Sequence, residues 1–216
     1  MYYKIEIAMC KNVLKIMMVS LVVALSASFA NAQVHVGDIL CEGNRVVSPA
    51  LAGSEAIAVV FYVDGTGQHG WAVALHDSGI LSWAPNCYNT PLRDCVSQAA
   101  AAADLDGYNN TRIIIEQGEE HPAFQALDFE NGWYLPAIGQ LKRLYSKLDK
   151  VNQSLSAVGG DEFSSDTDPN WECWSSTEYN VVSAWYMTAS GQMRFKDESY
   201  NGTKDGRRVV RSVINF

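Results

Sequence analysis

Basic residues are scarce in this chain: 16 Lys and Arg stand against 24 Asp and Glu in 216 residues. Binding to nucleic acid needs clustered cations that displace counterions from phosphates, so that class is excluded, as is attraction to an anionic bilayer. The one basic cluster, Arg207-Arg208 with Arg211, falls on a predicted closing strand, where alternate side chains simply meet solvent. Histidine is scarcer still. His35, His69, His76 and His121 stand in no metal-ligand spacing with a cysteine, and no Cys-x-x-Cys occurs, which leaves no zinc site. A nucleophile elbow is missing as well. Gly65-x-Gly67 is followed by a strand rather than a helix, so it reads as a turn and not as a phosphate loop. Beyond residue 29 no apolar run is long enough to cross a bilayer, and no repeat or low-complexity linker divides the rest of the chain.

What is present begins with a targeting signal. Lys4, Lys11 and Lys15 against a single Glu6 precede the apolar run Ile16 to Phe29, which is too short to span a membrane. Ala30-Asn31-Ala32 then supplies the small residues of a peptidase site, predicting cleavage before Gln33. Residues 1–32 are thus expected to be a signal peptide, and the protein to be exported to the periplasm, cell surface or medium. Removal of the leader leaves 13 basic and 23 acidic residues, a net charge of −10. The remainder is long enough for a proper core. It divides into an N-terminal β-rich region, 33–86, and a second region, 87–216, or forms one continuous domain over 33–216.

Four cysteines survive such processing, and an even number in an exported protein suggests two disulfides. Cys87 and Cys95 flank a short loop containing Pro91, which makes them the natural first pair. Cys41 and Cys173 would then tie the N-terminal strand to the second half. Buried free thiols are the alternative.

Strand signals dominate the first region. Val36–Cys41 is followed by a turn at Gly43-Asn44, and Ala56–Val63 is rich in β-branched and aromatic residues. Asp64–Gly67 turns the chain back into Gly70–Leu75, giving a hairpin. Helical signals follow. Asn89 or Thr90 is placed to cap a helix with Pro91 in its first turn and the alanine run 99–103 in its body, ended by Gly107. A short helix begins at Asn110-Thr111 and ends at Gly118, and a turn or two of helix spans Pro122 to Phe129. Ile138–Leu148 is the clearest amphipathic helix, with Ile138, Leu141, Leu144, Tyr145 and Leu148 on one face and Lys142, Arg143 and Lys147 on the other. Short β-segments at Trp174–Thr177, Ala184–Ala189 and Met193–Lys196 precede a final strand, Arg208–Ile214.

Four segments carry a resemblance: Asn131-Gly-Trp-Tyr-Leu-Pro136, Cys173-Trp-Ser-Ser-Thr-Glu178, Ser183-Ala-Trp-Tyr186 and Arg208-Val-Val-Arg-Ser-Val213. In order and spacing, over about residues 107–214, they resemble the C-terminal domains of bacterial collagen-like adhesins, a family of unknown function related to C-type lectins and major-paralogue domains. The resemblance implies an α+β protein with a C-type-lectin-like C-terminal domain. Short mixed and antiparallel strands and two to three helices would follow an N-terminal β-hairpin region. It further implies an adhesin-like, non-catalytic binding module at the cell envelope or outside the cell, with a glycan or an extracellular protein as ligand. The alternative is a structural or assembly component of a surface organelle.

Trp133, Trp174 and Trp185 are expected in core or near-core packing, the hydroxyls of Ser175, Ser176 and Thr177 on neighbouring backbone, and Arg211 paired with Glu178. Ligands of lectin-like folds meet the loops. Here those loops bring Trp171, Tyr179 and Tyr200 together with Asn170 and Asp168, aromatic faces flanked by hydroxyl-binding acceptors. Asp161, Glu162, Asp166 and Asp168 offer oxygens that calcium accepts. A solvated acidic loop is the plainer reading, and no cofactor is otherwise expected.

Overall fold

Why the strands form where they do is clearest from what each face buries. The computed structural model describes residues 33–86, 89–163, 171–195 and 203–216; residues 1–32, 87–88, 164–170 and 196–202 lie outside them. Val34–Phe216 forms one compact unit, built as α+β around two five-stranded sheets.

The first sheet takes β1 (Ile39–Cys41), β2 (Arg45–Val47), β3 (Ala56–Val63) and β4 (Gly70–Ala74), joined by β10 (Val213–Asn215), in the order β10-β4-β3-β1-β2 and antiparallel throughout. The predicted hairpin is therefore β3–β4. Its turn is held by Asp64, whose Oδ1 accepts from the Thr66 amide at 2.9 Å. The second sheet contains β5 (Gly79–Ser82), β6 (Glu172–Asn180), β7 (Ser183–Thr188), β8 (Met193–Arg194) and β9 (Arg207–Val210), in the order β5-β9-β6-β7-β8. Among the described residues only its β6–β9 pairing is parallel.

Successive residues of the second sheet enter different cores. Cys173, Trp185, Met187 and Val209 join the main core with Ile39, Val59 and Val73 of the first sheet. Trp174, Ala184, Tyr186 and Val210 join another with Trp83, Phe124 and Leu135. A sheet buried on both faces reads as a nearly unbroken apolar run, and β7 does. The first sheet has one such face. On its other side Leu40, Ala58, Val60 and Ala72 are buried beneath half-buried Val34, Val46, Ile57, Val63, Trp133, Ile214 and Phe216.

Six α-helices occur among the described residues: α1 (Pro49–Ala52), α2 (Gln98–Ala103), α3 (Gly107–Gln117), α4 (Pro122–Gln125), α5 (Ile138–Tyr145) and α6 (Leu148–Ala157). Three expectations are corrected here. The alanine helix starts at Ser97, whose Oγ accepts from the Ala100 amide at 3.2 Å, and not at Asn89 or Thr90. Gly107 opens α3 instead of ending α2, because a Cβ there would lie 2.5 Å from Gln140 Oε1 and 2.6 Å from the Ala137 nitrogen. The amphipathic helix stops at Tyr145, and a separate α6 turns Val151 and Leu155 into the main core. Among the described residues no helix is long and apolar enough to cross a membrane.

Both sheets draw on both ends of the chain, so no boundary separates a β-region from the rest near Asn86. The β4-to-β5 and β9-to-β10 crossings run side by side, with the Ser78 amide on Val210 O at 2.7 Å and the Ala74 amide on Ser212 O at 3.0 Å. Arg211, fully buried, sits at this junction. Its guanidinium meets Asp77 and donates to the carbonyls of Ala74 and Leu75, each at 3.2 Å, and of Asp161 at 3.0 Å.

Candidate functional site

The Trp-Ser-Ser-Thr-Glu run of β6 organises a buried polar network. Trp174 Nε1 donates to Leu81 O at 2.9 Å, and Ser175 Oγ to Trp185 O at 2.7 Å. The Ser176 amide donates to Pro136 O at 2.9 Å, which docks the Gly-Trp-Tyr-Leu-Pro turn directly on the strand. Thr177 Oγ1 accepts from the Ile138 amide at 2.9 Å and donates to Asp104 Oδ2 at 2.7 Å, so it caps α5 and fixes the end of α2. Asn110 Nδ2 reaches the same Asp104 oxygen at 2.9 Å and Ser176 Oγ at 3.3 Å.

Glu178 ends this spine. Only 1 % exposed, it pairs with the fully buried Lys204 and accepts from Thr90 Oγ1. Burial pushes its carboxyl above the usual glutamate range, against the opposing pull of Lys204 and Thr90. Lys204 Nζ also lies 4.6 Å from the centre of the Trp83 ring, a cation–π contact. Breaking a buried pair by deleting one partner strands the other charge in low dielectric, so Glu178 and Lys204 act as one unit. The pairing of Glu178 with Arg211 is thereby corrected: Arg211 is taken by Asp77.

These bonds hold the 89–97 loop against β6, helped by the Cys95 amide on Glu178 O at 3.0 Å and by Trp185 Nε1 on Cys95 O at 2.8 Å. Between this loop, α2 and the start of α3 opens a cleft of about 300 Å³, lined by Leu92, Arg93, Cys95, Ala100, Asp104 and Asn110 among others. Its lining is aliphatic and polar. A second cleft, about 380 Å³, lies between α3 and α4 and includes Ile115, Phe124, Leu127 and Phe129. Beside it, His121 is buried against Trp83 and Phe124, and burial depresses its basicity.

The residues expected to form a ligand surface do not gather there. Trp171 is 8 % exposed and packs edge-on to Phe163 at 5.3 Å, inside the main core. Tyr179 is half-buried and stacks on Phe195 at 3.8 Å, with 8° between planes. Their partners, Phe163 and Phe195, are apolar residues within polar stretches, which is the signal that Trp171 and Tyr179 pack inward. Tyr200, Asn170 and Asp168 lie outside the described residues. Of the calcium candidates, Asp166 and Asp168 also lie outside them. Asp161 is exposed and hydrogen-bonded to His76 Nδ1 at 3.1 Å, a contact that holds its carboxyl below the usual range. Its carbonyl already serves Arg211, whose charge disfavours a cation beside it.

The disulfide framework is corrected too. Cys41, Cys95 and Cys173 are buried free thiols, and Cys87 lies outside the described residues. Each thiol belongs to the main core, whose apolar packing makes staples unnecessary. Burial pushes the Cys173 thiol up to about 12 and raises that of Cys95, which keeps both protonated and inert.

No family model matches the sequence, and no curated protein matches it. The fold is similar to that of a fimbrial protein from Bacteroides ovatus ATCC 8483, with a TM-score of 0.64 and 21 % identity. The match covers 85 % of this chain and 49 % of that one, so the chain spans about half the length of its structural neighbour.

Proposed function

We propose that the chain is an exported, non-enzymatic component of a bacterial surface assembly of fimbrial type, with other protein subunits as its partners. The observation that carries this reading is the likeness of fold to a fimbrial protein across 85 % of the chain. The polar interior points the same way. The hydroxyls of Ser175, Thr177 and Thr90 are spent on Trp185 O, Asp104 and Glu178, bonds that hold elements together. The half-buried apolar face of the first sheet suits a subunit that packs against others. In this reading the leader directs export, and the C-terminal half is a C-type-lectin-like relative of the collagen-like-adhesin domains. The mutual docking of the Gly-Trp-Tyr-Leu-Pro and Trp-Ser-Ser segments supports that kinship. Immunogold labelling of intact host cells tests the proposal, with shearing and fractionation of surface filaments. Label on the surface and protein in the sheared fraction are expected; retention inside the cell would overturn it.

A second reading, a glycan- or protein-binding module, is favoured by one observation, the stacked pair of Tyr62 on β3 and Trp71 on β4 of the first sheet. An array of glycans and matrix proteins, probed with and without calcium, separates it from pure assembly.

A further inference from the structure

Trp71 on β4 stands opposite Tyr62 on β3 and opposite Asn215 on β10. Directly opposed residues of antiparallel strands project from the same face, so three adjacent strands carry Tyr62, Trp71 and Asn215 in one row. The Tyr62 and Trp71 rings stack with centroids 4.3 Å apart and 30° between planes. From α5, Arg143 brings its guanidinium to 4.6 Å from the Tyr62 centroid and 5.3 Å from that of Trp71. The Tyr134 hydroxyl continues the row by donating to Asn215 Oδ1 at 2.7 Å. Tyr108, 39 % exposed, stands edge-on to Tyr134 at 5.7 Å. Tyr62, Trp71 and Arg143 are half-buried and Asn215 is exposed, so the row meets solvent at these four residues, while Tyr134 is buried behind Asn215.

Arg143 lies in a basic stretch of an acidic chain. The segment from Lys142 to Lys150 holds Lys142, Arg143, Lys147 and Lys150 against the single carboxylate of Asp149. Arg143 makes no ion pair among the described residues. A guanidinium pre-oriented on aromatic rings keeps its outer N–H donors for a planar anion.

We propose that this row binds a carboxylate-bearing saccharide of the uronate class. The Tyr62, Trp71 and Tyr108 rings meet the C–H faces of the sugars. Arg143 pairs bidentately with a carboxylate. The Asn215 amide, its oxygen engaged by Tyr134, donates through Nδ2 to a ring hydroxyl. The inference rests on the binding-module reading and names its ligand class; assembly into a filament requires none of this, and immunogold labelling leaves it untouched.

The test titrates the full protein, exported and purified from its host, with a short oligogalacturonate, with its methyl-esterified form and with polyglutamate. The free acid is expected to bind at least about tenfold more tightly than either comparator. Arg143→Gln and Asn215→Ala should each weaken binding by about tenfold or more with an unchanged melting temperature, whereas Arg112→Gln on α3 should not. Arg143→Lys, which keeps the charge and loses the fork, should fall between, and it serves if Arg143→Gln does not fold. Absence of binding to the free acid, equal affinity for the ester or for polyglutamate, or full affinity in Asn215→Ala overturns the proposal.

Discussion

A large side chain that closes a core is costly to shorten whatever its surroundings in the sequence. Trp171 leads into β6 and packs against Phe163 and Tyr145. Trp171→Ala should therefore destabilise the fold by roughly 3–5 kcal/mol, read from urea denaturation; a loss below about 1 kcal/mol would place the ring on the surface. His121 gives a pH dependence. Burial, its largest influence, and the charge of Lys204 lower its pKa below 6.5, against a raising contact with Trp83 O. The folded state thus binds fewer protons than the unfolded chain. His121's contribution to stability is complete above its unfolded value near 6.5 and is lost as pH falls towards the depressed folded value. Glu178, raised by burial, slopes the other way at lower pH, so the comparison needs a variant that leaves Glu178 in place. His121→Phe keeps a ring against Trp83 and Phe124. Its stability relative to the parent should improve between pH 7.5 and 5.5, and a constant difference would rule the mechanism out.

Elements here are seated by close backbone approach as much as by side chains. Gly139 in α5 donates to Asp104 O at 3.1 Å, and a Cβ on it would run into the carbonyls of Asp104 and Ala102. Helix propensity alone favours alanine at such a position by about 1 kcal/mol. Overpacking against rigid backbone costs about 1–3 kcal/mol and more than cancels that gain. Gly139→Ala should thus lower the melting temperature, and a rise would mean that α2 and α5 separate easily. The α5–α6 break belongs to this scale as well. A single longer helix would carry Val151 and Leu155 away from the core that they fill.

For the whole molecule the decisive residue is Arg211, which ties the two crossings between the sheets. Arg211→Met leaves Asp77 and three carbonyls without their donor, a loss of roughly 3 kcal/mol or more. Unfolding should stay a single transition in calorimetry, shifted to lower temperature, because the sheets share the main core. Two separate transitions would show that they fold independently. The thiols make a further whole-molecule prediction. Reductant should leave the melting temperature unchanged, and Cys41, Cys95 and Cys173 should all label in unfolded, non-reduced protein. Protection of any of the three would restore a disulfide.

The sequence by itself determined the class α+β, the β3–β4 hairpin, the amphipathic start of α5 and the internal place of Trp174 and Trp185. Each of these follows from local periodicity or from turn chemistry that acts over a few residues. Only the tertiary structure decided the rest, because its causes lie far apart along the chain. Gly107 looked like a helix stop until Gln140 and Ala137 came to lie beside it. Thr90 looked like a helix cap, yet its hydroxyl serves Glu178, 88 residues on. Trp171 and Tyr179 looked like surface aromatics in polar loops, but Phe163 and Phe195 turn them inward. Tyr62, Trp71 and Asn215 gave no sign of belonging together, since sheet register, which no local pattern encodes, sets them in one row.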